Sequence, residues 1–150
     1  MDRTRPTLNQ LNIVSGNLDA SIAFYRRLGV DIPDHKVWRT ATGAHHASAE
    51  DGAEGIDLDL DSTTFAEVWN SGWRGRKDLA GRVVVGLRVA SREEVDRLYG
   101  EMTAAGHHGL QVPYDAFWGA RYAVVEDPDG IAVGIMSPIS SEHRSPPPEV

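Results

Sequence analysis

The chain has 150 residues, with 22 Asp or Glu against 15 Lys or Arg, a formal net charge of −7 with the histidines neutral. That length suits one compact domain or two half-size modules sharing a core. A hydrophobic fraction of 41% beside 25% charged residues is that of a globular protein, and no apolar run reaches the roughly 20 residues of a membrane span. There is no cysteine, which excludes disulfides and thiolate chemistry, and the acidic balance argues against nucleic acid, whose binding rests on clustered Lys and Arg. A polar N-terminus without the apolar core of a secretory signal gives the expectation of a cytoplasmic protein with no membrane partner.

In chain order, Leu8 to Val14 alternates, with Leu11 and Ile13 on one face and Gln10, Asn12 and Val14 on the other, which predicts a strand. From Asn17, the residues Leu18, Ser21, Ile22, Tyr25 and Leu28 form one stripe of a helix that Gly29 stops. Three short strands are predicted next, Lys36 to Thr40, Ala44 to Glu50 and Gly55 to Asp61, separated by turn-forming segments. In Ser62 to Gly81, the capping-box spacing of Thr64 and Glu67 predicts a short helix, followed by a Gly- and charge-rich loop. The same order then recurs. A strand at Arg82 to Ala90 leads to a helix opened by Ser91 and Glu94, with a stripe of Val95, Leu98, Tyr99, Met102 and Ala105. Strands follow at His107 to Val112, Ala120 to Glu126 and Ile131 to Met136, the last two joined by the turn Asp127-Pro128-Asp129-Gly130. The predicted organisation is a βαβββ module over 8–62, a connector over 63–81, a second module over 82–137 and a disordered, proline-bearing tail over 138–150.

Several residues are candidates for chemistry. Asp57, Asp59 and Asp61 recur every second residue, which places them on one strand face with Ile56, Leu58 and Leu60 on the other. Carboxylates so close make an acidic wall suited to a general base or a cation site. The alternative is that Asp61 caps the strand end and Asp59 is solvated at a rim. His45 and His46 face opposite ways, so one points inward, and His46 with Asp57 forms a candidate catalytic pair for proton transfer. Trp38, and Trp118 with Phe117 and Tyr122, are candidate flat walls for a planar ligand. In the final strand Ala132, Gly134 and Met136 share the pocket parity, the small residues leaving volume and Met136 adapting its shape. Arg88 and Arg121 are available to the acidic residues or to a ligand carboxylate.

The segment Leu18-Asp19-Ala20-Ser21-Ile22-Ala23-Phe24-Tyr25 leading to Leu28-Gly29, and Asp127-Pro128-Asp129-Gly130 before the last strand, sit in a duplicated βαβββ frame. Together they resemble the vicinal oxygen chelate superfamily, which includes glyoxalase I, bleomycin-resistance proteins and extradiol dioxygenases. The resemblance covers residues 8–137. It implies an α+β fold in which the mixed sheets of two βαβββ modules curve into a cup with helices on the outer face, commonly in a homodimer. It also implies metal-ligand positions at Gln10 and Val84 on the first strands and at Asp57 and Gly134 on the last.

Val84 and Gly134 carry no side-chain donor, and two donors plus water make a weak site for Mn, Fe, Ni or Zn. The pattern is closer to the antibiotic-binding branch. It leads to the expectation of a cofactor-free small-molecule binding protein, with antibiotic sequestration as a candidate role. An aromatic or cationic organic ligand would meet Trp38, Asp59, Arg88, Phe117, Trp118, Arg121, Tyr122 and Met136. The alternative is an enzyme. One form is a glyoxalase-like lyase, isomerase or dioxygenase whose divalent metal, held by Gln10, His46 and Asp57, polarises vicinal oxygens. The other is a metal-free acid–base catalyst using Asp57 and His46. A purely structural dimerisation module is a third reading, one that leaves the acidic wall without a purpose.

Overall fold

The computed structural model describes residues 10–50, 55–70, 73–75 and 83–148. Positions 8–9 of the first expected strand, the turn at 51–54, most of the loop after Trp69 and residues 149–150 of the tail lie outside the described residues. The chain divides into two units, Met1–Arg76 and Lys77–Val150.

The first unit runs β1 (Gln10–Ser15), α1 (Leu18–Arg27), a single 3-10 turn at Asp34–Lys36, β2 (Val37–Thr40), β3 (Gly43–Ser48), β4 (Asp57–Ser62) and α2 (Thr63–Trp69). Its sheet has the order β1-β4-β3-β2, with β1 parallel to β4 and the other pairs antiparallel. The helix α1 forms where the apolar stripe requires it, and Asn17 caps it by accepting a hydrogen bond from the Ala20 N–H at 3.1 Å. Leu18, Ile22 and Tyr25 of the stripe are buried, as is Phe24. Register aligns Ile13, Leu60 and Ala47 in one row across the sheet, all buried, and α1 packs on β3 and β4. Alternation sends the neighbouring rows to the opposite face: Asn12, Asp59 and Ser48 in one, and Val14, Asp61, His46 and Trp38 in the next.

The helix α2, expected in the connector, belongs to this unit and packs on β4, β1 and β3. Its cap is Ser62, which accepts from the Phe65 N–H at 3.1 Å, two residues ahead of the expected Thr64. Starting there, the helix places Phe65 and Trp69 four apart, on one face.

The second unit repeats the plan with β5 (Val84–Arg88), α3 (Arg92–Ala104), β6 (Gly109–Asp115), β7 (Arg121–Glu126) and β8 (Ala132–Met136). The order is β5-β8-β7-β6, again with the outer first strand parallel to the last. Ser91 caps α3 through the Glu94 N–H, and Val95, Leu98 and Met102 are buried. Rows of Val85, Val133 and Val125 and of Leu87, Ile135 and Ala123 lie on one face, on the parity of the buried positions. The duplicated βαβββ reading therefore holds element by element, and the fold is α+β.

The tail departs from expectation. Ser140 donates its N–H to Gly119 O at 2.9 Å, Ser145 donates to Phe117 O at 3.0 Å, and Arg144 bridges Trp118. Gly119 has φ of +97°, and a side chain there would press on Ser140 O, so the close approach requires glycine. Residues 140–145 are thus a strap over the loop before β7. The turn before β8 is fixed by Asp127, 3% exposed, whose Oδ1 accepts from the N–H groups of Asp129 at 2.8 Å and Ile131 at 2.9 Å. Asp127→Ala is expected to lower stability by about 2 kcal/mol, read from urea-denaturation midpoints, because two backbone donors lose a charged acceptor.

Candidate functional site

The face of the first sheet turned away from α1 carries a connected set of polar side chains. Asp61 is 3% exposed, so its carboxylate must be satisfied from within. Three elements supply donors. His46 Nδ1 lies 2.5 Å from Oδ1, while Asn12 Nδ2 at 2.9 Å and Trp69 Nε1 at 3.1 Å donate to Oδ2. Since a carboxylate accepts, the proton of that first bond sits on Nδ1, leaving Nε2 to face Ser48 Oγ at 3.1 Å. Ser48 Oγ in turn donates to Asp59 Oδ1 at 2.7 Å, and Gln10 Nε2 donates to Asp59 Oδ2. Orienting its nitrogen toward Asp61 leaves Asn12 Oδ1 buried without a partner among the described residues.

Beside this network are aromatic rings. Phe65 meets Trp38 edge-on at 5.3 Å between centroids and His46 at 6.0 Å. Trp38 is 49% exposed. An open hollow of about 500 Å³ is lined by His35, Lys36, Val37, Trp38, His46 and Ser48. The lining therefore includes an indole, an imidazole, a hydroxyl and the basic side chains of His35 and Lys36, while the two carboxylates bound to His46 and Ser48 are not part of it and are occupied by donors.

The three aspartates share a strand face, as expected, but do not form the expected open acidic wall. Asp59 and Asp61 are buried while Asp57, at the start of β4, is exposed, so the polar face is a hydrogen-bonded network rather than a wall of three free charges. The alternative reading, in which Asp59 is solvated and Asp61 merely ends the strand, fails for the same reason. His46 pairs with Asp61, its register partner, and not with Asp57, four residues earlier on β4. The expected opposition of His45 and His46 is broken by a bulge: the register passes from Trp38–His46 to Arg39–Ala44, so His45 is the extra residue. Its ring lies 5.4 Å from that of Trp38, and its Nδ1 meets Ser62 Oγ at 2.8 Å. Asn12, Ser48, Phe65 and Trp69 are additions to the expected site. Each had a signal: Asn12 shares the parity of Gln10, Ser48 shares that of His46, and Phe65 and Trp69 have i, i+4 spacing.

In the second unit, Trp118 is ringed edge-on by Phe117 at 5.2 Å, Tyr122 at 5.5 Å and Tyr114 at 6.4 Å. Tyr122 is the register neighbour of both Tyr114 and Met136, and Met136 is that of the exposed Arg88. The volume expected over Gly134 is taken: a Cβ there would lie 2.6 Å from the Tyr122 hydroxyl, so the phenol rests on the glycine. Burial, and secondarily the neighbouring Tyr114, push the Tyr122 phenol above its usual range. Arg121 is not turned toward these rings. It pairs with Asp96 of α3 at 2.8 Å and with Asp115 at 3.2 Å, because its parity on β7 is that of the helix-covered face.

The metal positions implied by the resemblance do not fit a metal. Gln10 presents its amide nitrogen, a donor, to Asp59. The two registers also match Asp57 to Ala132 and Asp59 to Gly134, so the carried-over pair Asp57 and Gly134 are not equivalent positions. Gly134 is covered by Tyr122. Among the described residues no group of three or more His, Asp or Glu is arranged to hold an ion.

Comparison with known proteins agrees with this architecture. The family model described as the Glyoxalase/Bleomycin resistance protein/Dioxygenase superfamily matches residues 7–135. Among curated proteins no significant match is found. A glyoxalase/bleomycin resistance protein/dioxygenase from Nocardioides is similar in structure, with a TM-score of 0.69 at 22% identity over 99% of this chain and 92% of its own. A family enzyme from Burkholderia phytofirmans PsJN gives 0.71 at 20% identity, over 88% and 98%. Lactoylglutathione lyase from Agrobacterium tumefaciens gives 0.63 at 16% identity, over 90% and 96%. At these identities the structures share the fold with this chain. No helix among the described residues is long and apolar enough to cross a membrane.

Two outcomes are expected from the site itself. Asp61→Ala strands three donors and should cost about 3 kcal/mol of unfolding free energy in a urea titration. Because the folded-state value of Tyr122 is raised, its contribution to stability is complete below the unfolded phenol's value of about 10 and is lost as pH climbs through the raised value. An alkaline series of thermal melts should show this decline, and Tyr122→Phe should reduce it.

Proposed function

Because the chain belongs to the glyoxalase/bleomycin resistance protein/dioxygenase superfamily, we propose that it is a metal-independent small-molecule binding protein of that fold, with antibiotic sequestration as its candidate role. The observation that carries this reading is the half-exposed Trp38 in the lining of an open hollow of about 500 Å³ that His46 and Ser48 also line. A volume of that order, an apolar wall and a few oriented hydrogen-bonding groups are what a drug-sized ligand requires. A planar aromatic molecule would stack on the indole and meet Ser48 and the His46 edge. The net charge of −7 favours a ligand that also carries a positive charge.

A second reading is favoured by one contact, the 2.5 Å separation of His46 Nδ1 from Asp61. An imidazole held in one tautomer by a buried carboxylate, with Nε2 turned to Ser48 Oγ at 3.1 Å, has the arrangement of a general base. In that reading Asp61, rather than Asp57, is the partner of His46 in metal-free acid–base chemistry.

Tryptophan fluorescence titrated with bleomycin, an enediyne and an aromatic polyketide tests the binding reading. Saturable quenching by at least one is expected, and Trp38→Ala should weaken that binding about tenfold, the loss of roughly 1.4 kcal/mol of stacking and burial. Unchanged affinity in Trp38→Ala, or a flat response throughout, counts against it.

A further inference from the structure

We propose that Ser48 is a nucleophile toward activated acyl groups, giving the first unit an esterase-type activity on small aromatic esters. The hydroxyl belongs to a linked series: Ser48 Oγ is 3.1 Å from His46 Nε2, and His46 Nδ1 is 2.5 Å from Asp61 Oδ1. These are a nucleophile, a base and an orienting carboxylate in the connectivity that acyl transfer uses on unrelated folds. The strand produces it directly, because His46 and Ser48 are two apart on β3 and share a face, and antiparallel register sets Asp61 opposite His46. The Asp61 side chain is 4% exposed and held by Asn12 and Trp69, so the imidazole is anchored from behind. In front, both Ser48 and His46 line the hollow, with Trp38 as a platform for an aromatic group.

The resting hydroxyl donates to Asp59 at 2.7 Å. Rotation about the Cβ–Oγ bond redirects that proton to Nε2 without moving the oxygen. Ser48 Oγ then bonds to the ester carbonyl carbon as its proton passes to His46 Nε2, and Asp61 stabilises the imidazolium. The carbon–oxygen bond to the leaving group breaks, and the departing alkoxide or phenolate takes the proton from Nε2, leaving acyl-Ser48. Water attacks the acyl carbon, giving one proton to Nε2, which returns it to the Ser48 oxygen as the carboxylic acid leaves. Ser48 and His46 are the catalytic residues, and Asp61 is a positioning residue.

The test treats the full chain with diisopropyl fluorophosphate and maps the adduct by peptide mass, alongside hydrolysis of p-nitrophenyl acetate. One phosphoryl adduct on Ser48 is expected, with an initial burst approaching one p-nitrophenolate per chain. Ser48→Ala should abolish both, and His46→Ala should slow labelling by about 100-fold or more, the usual contribution of a general base. Asp61→Asn should slow labelling and remove the downfield imidazole N–H resonance from the proton NMR spectrum, a signature that lost packing elsewhere would not erase selectively. Circular dichroism establishes that each variant is folded. Should Ser48→Ala not fold, Ser48→Cys replaces it and is expected to form a thioester with the same substrate. An unlabelled Ser48, an adduct confined to another residue, or undiminished ester hydrolysis in Ser48→Ala overturns the proposal. None of these outcomes depends on the fluorescence response of Trp38, so the binding reading stands or falls separately.

Discussion

A carboxylate with 3% of its surface exposed is an expensive group to bury, and the first unit is organised around meeting that cost at Asp61. Its three donors come from β1, β3 and α2, while Asp61 itself sits on β4. Four elements are therefore tied to one pair of oxygens, on the side of the sheet that α1 does not cover. The helix α2 has only seven residues, too short to persist alone, and two of its anchors are the Trp69 indole on Asp61 and the Ser62 cap beside it. The same bonds fix the ring of His46, and with it one part of the lining of the hollow.

The two repeats solve the same geometric problem with different chemistry. Where the first sheet aligns Asp61, His46 and Trp38, the second aligns Met136, Tyr122 and Tyr114. Where the first sets Asp59 against Ser48, the second leaves Gly134 for the Tyr122 phenol to rest on. One face is held by directional hydrogen bonds to carboxylates and the other by edge-on aromatic packing and close approach to glycine.

Local periodicity made the fold legible. The stripes of α1 and α3, the alternation of the strands and the Asp127 turn are all carried by residues within a few positions of each other. The site was legible only by parity. Alternation placed Asp57, Asp59 and Asp61 together, but which of them meets His46 depends on interstrand register, and Asp57 and Asp61 have the same parity. The filling of the space over Gly134 comes from a neighbouring strand, and the turning of Arg121 to Asp96 from a helix 25 residues away, so neither leaves a local trace. The strap over Phe117 to Gly119 escaped for a related reason. Its prolines and low apolar content describe an unsupported chain, whereas its order comes from backbone hydrogen bonds to a distant loop.

The hydrogen bonds between β1 and β4 run on a diagonal. Gln10 lies opposite Asp57 yet reaches Asp59, and Asn12 lies opposite Asp59 yet reaches Asp61. A slip of one residue would bring Leu11 and Ile13 onto those carboxylates, and a slip of two would leave one carboxylate without its amide. The ladder is thus a vernier: it reads alignment to a single residue in a parallel pair whose strands are joined only by a long crossover. A change of either β1 amide is therefore felt at the carboxylate two rungs along β4 rather than at the residue directly opposite. The corresponding β5 and β8 positions, Val84, Gly86, Gly134 and Met136, hold no amide–carboxylate pair and carry no such gauge, and Gly134 is constrained instead by the Tyr122 ring that rests on it.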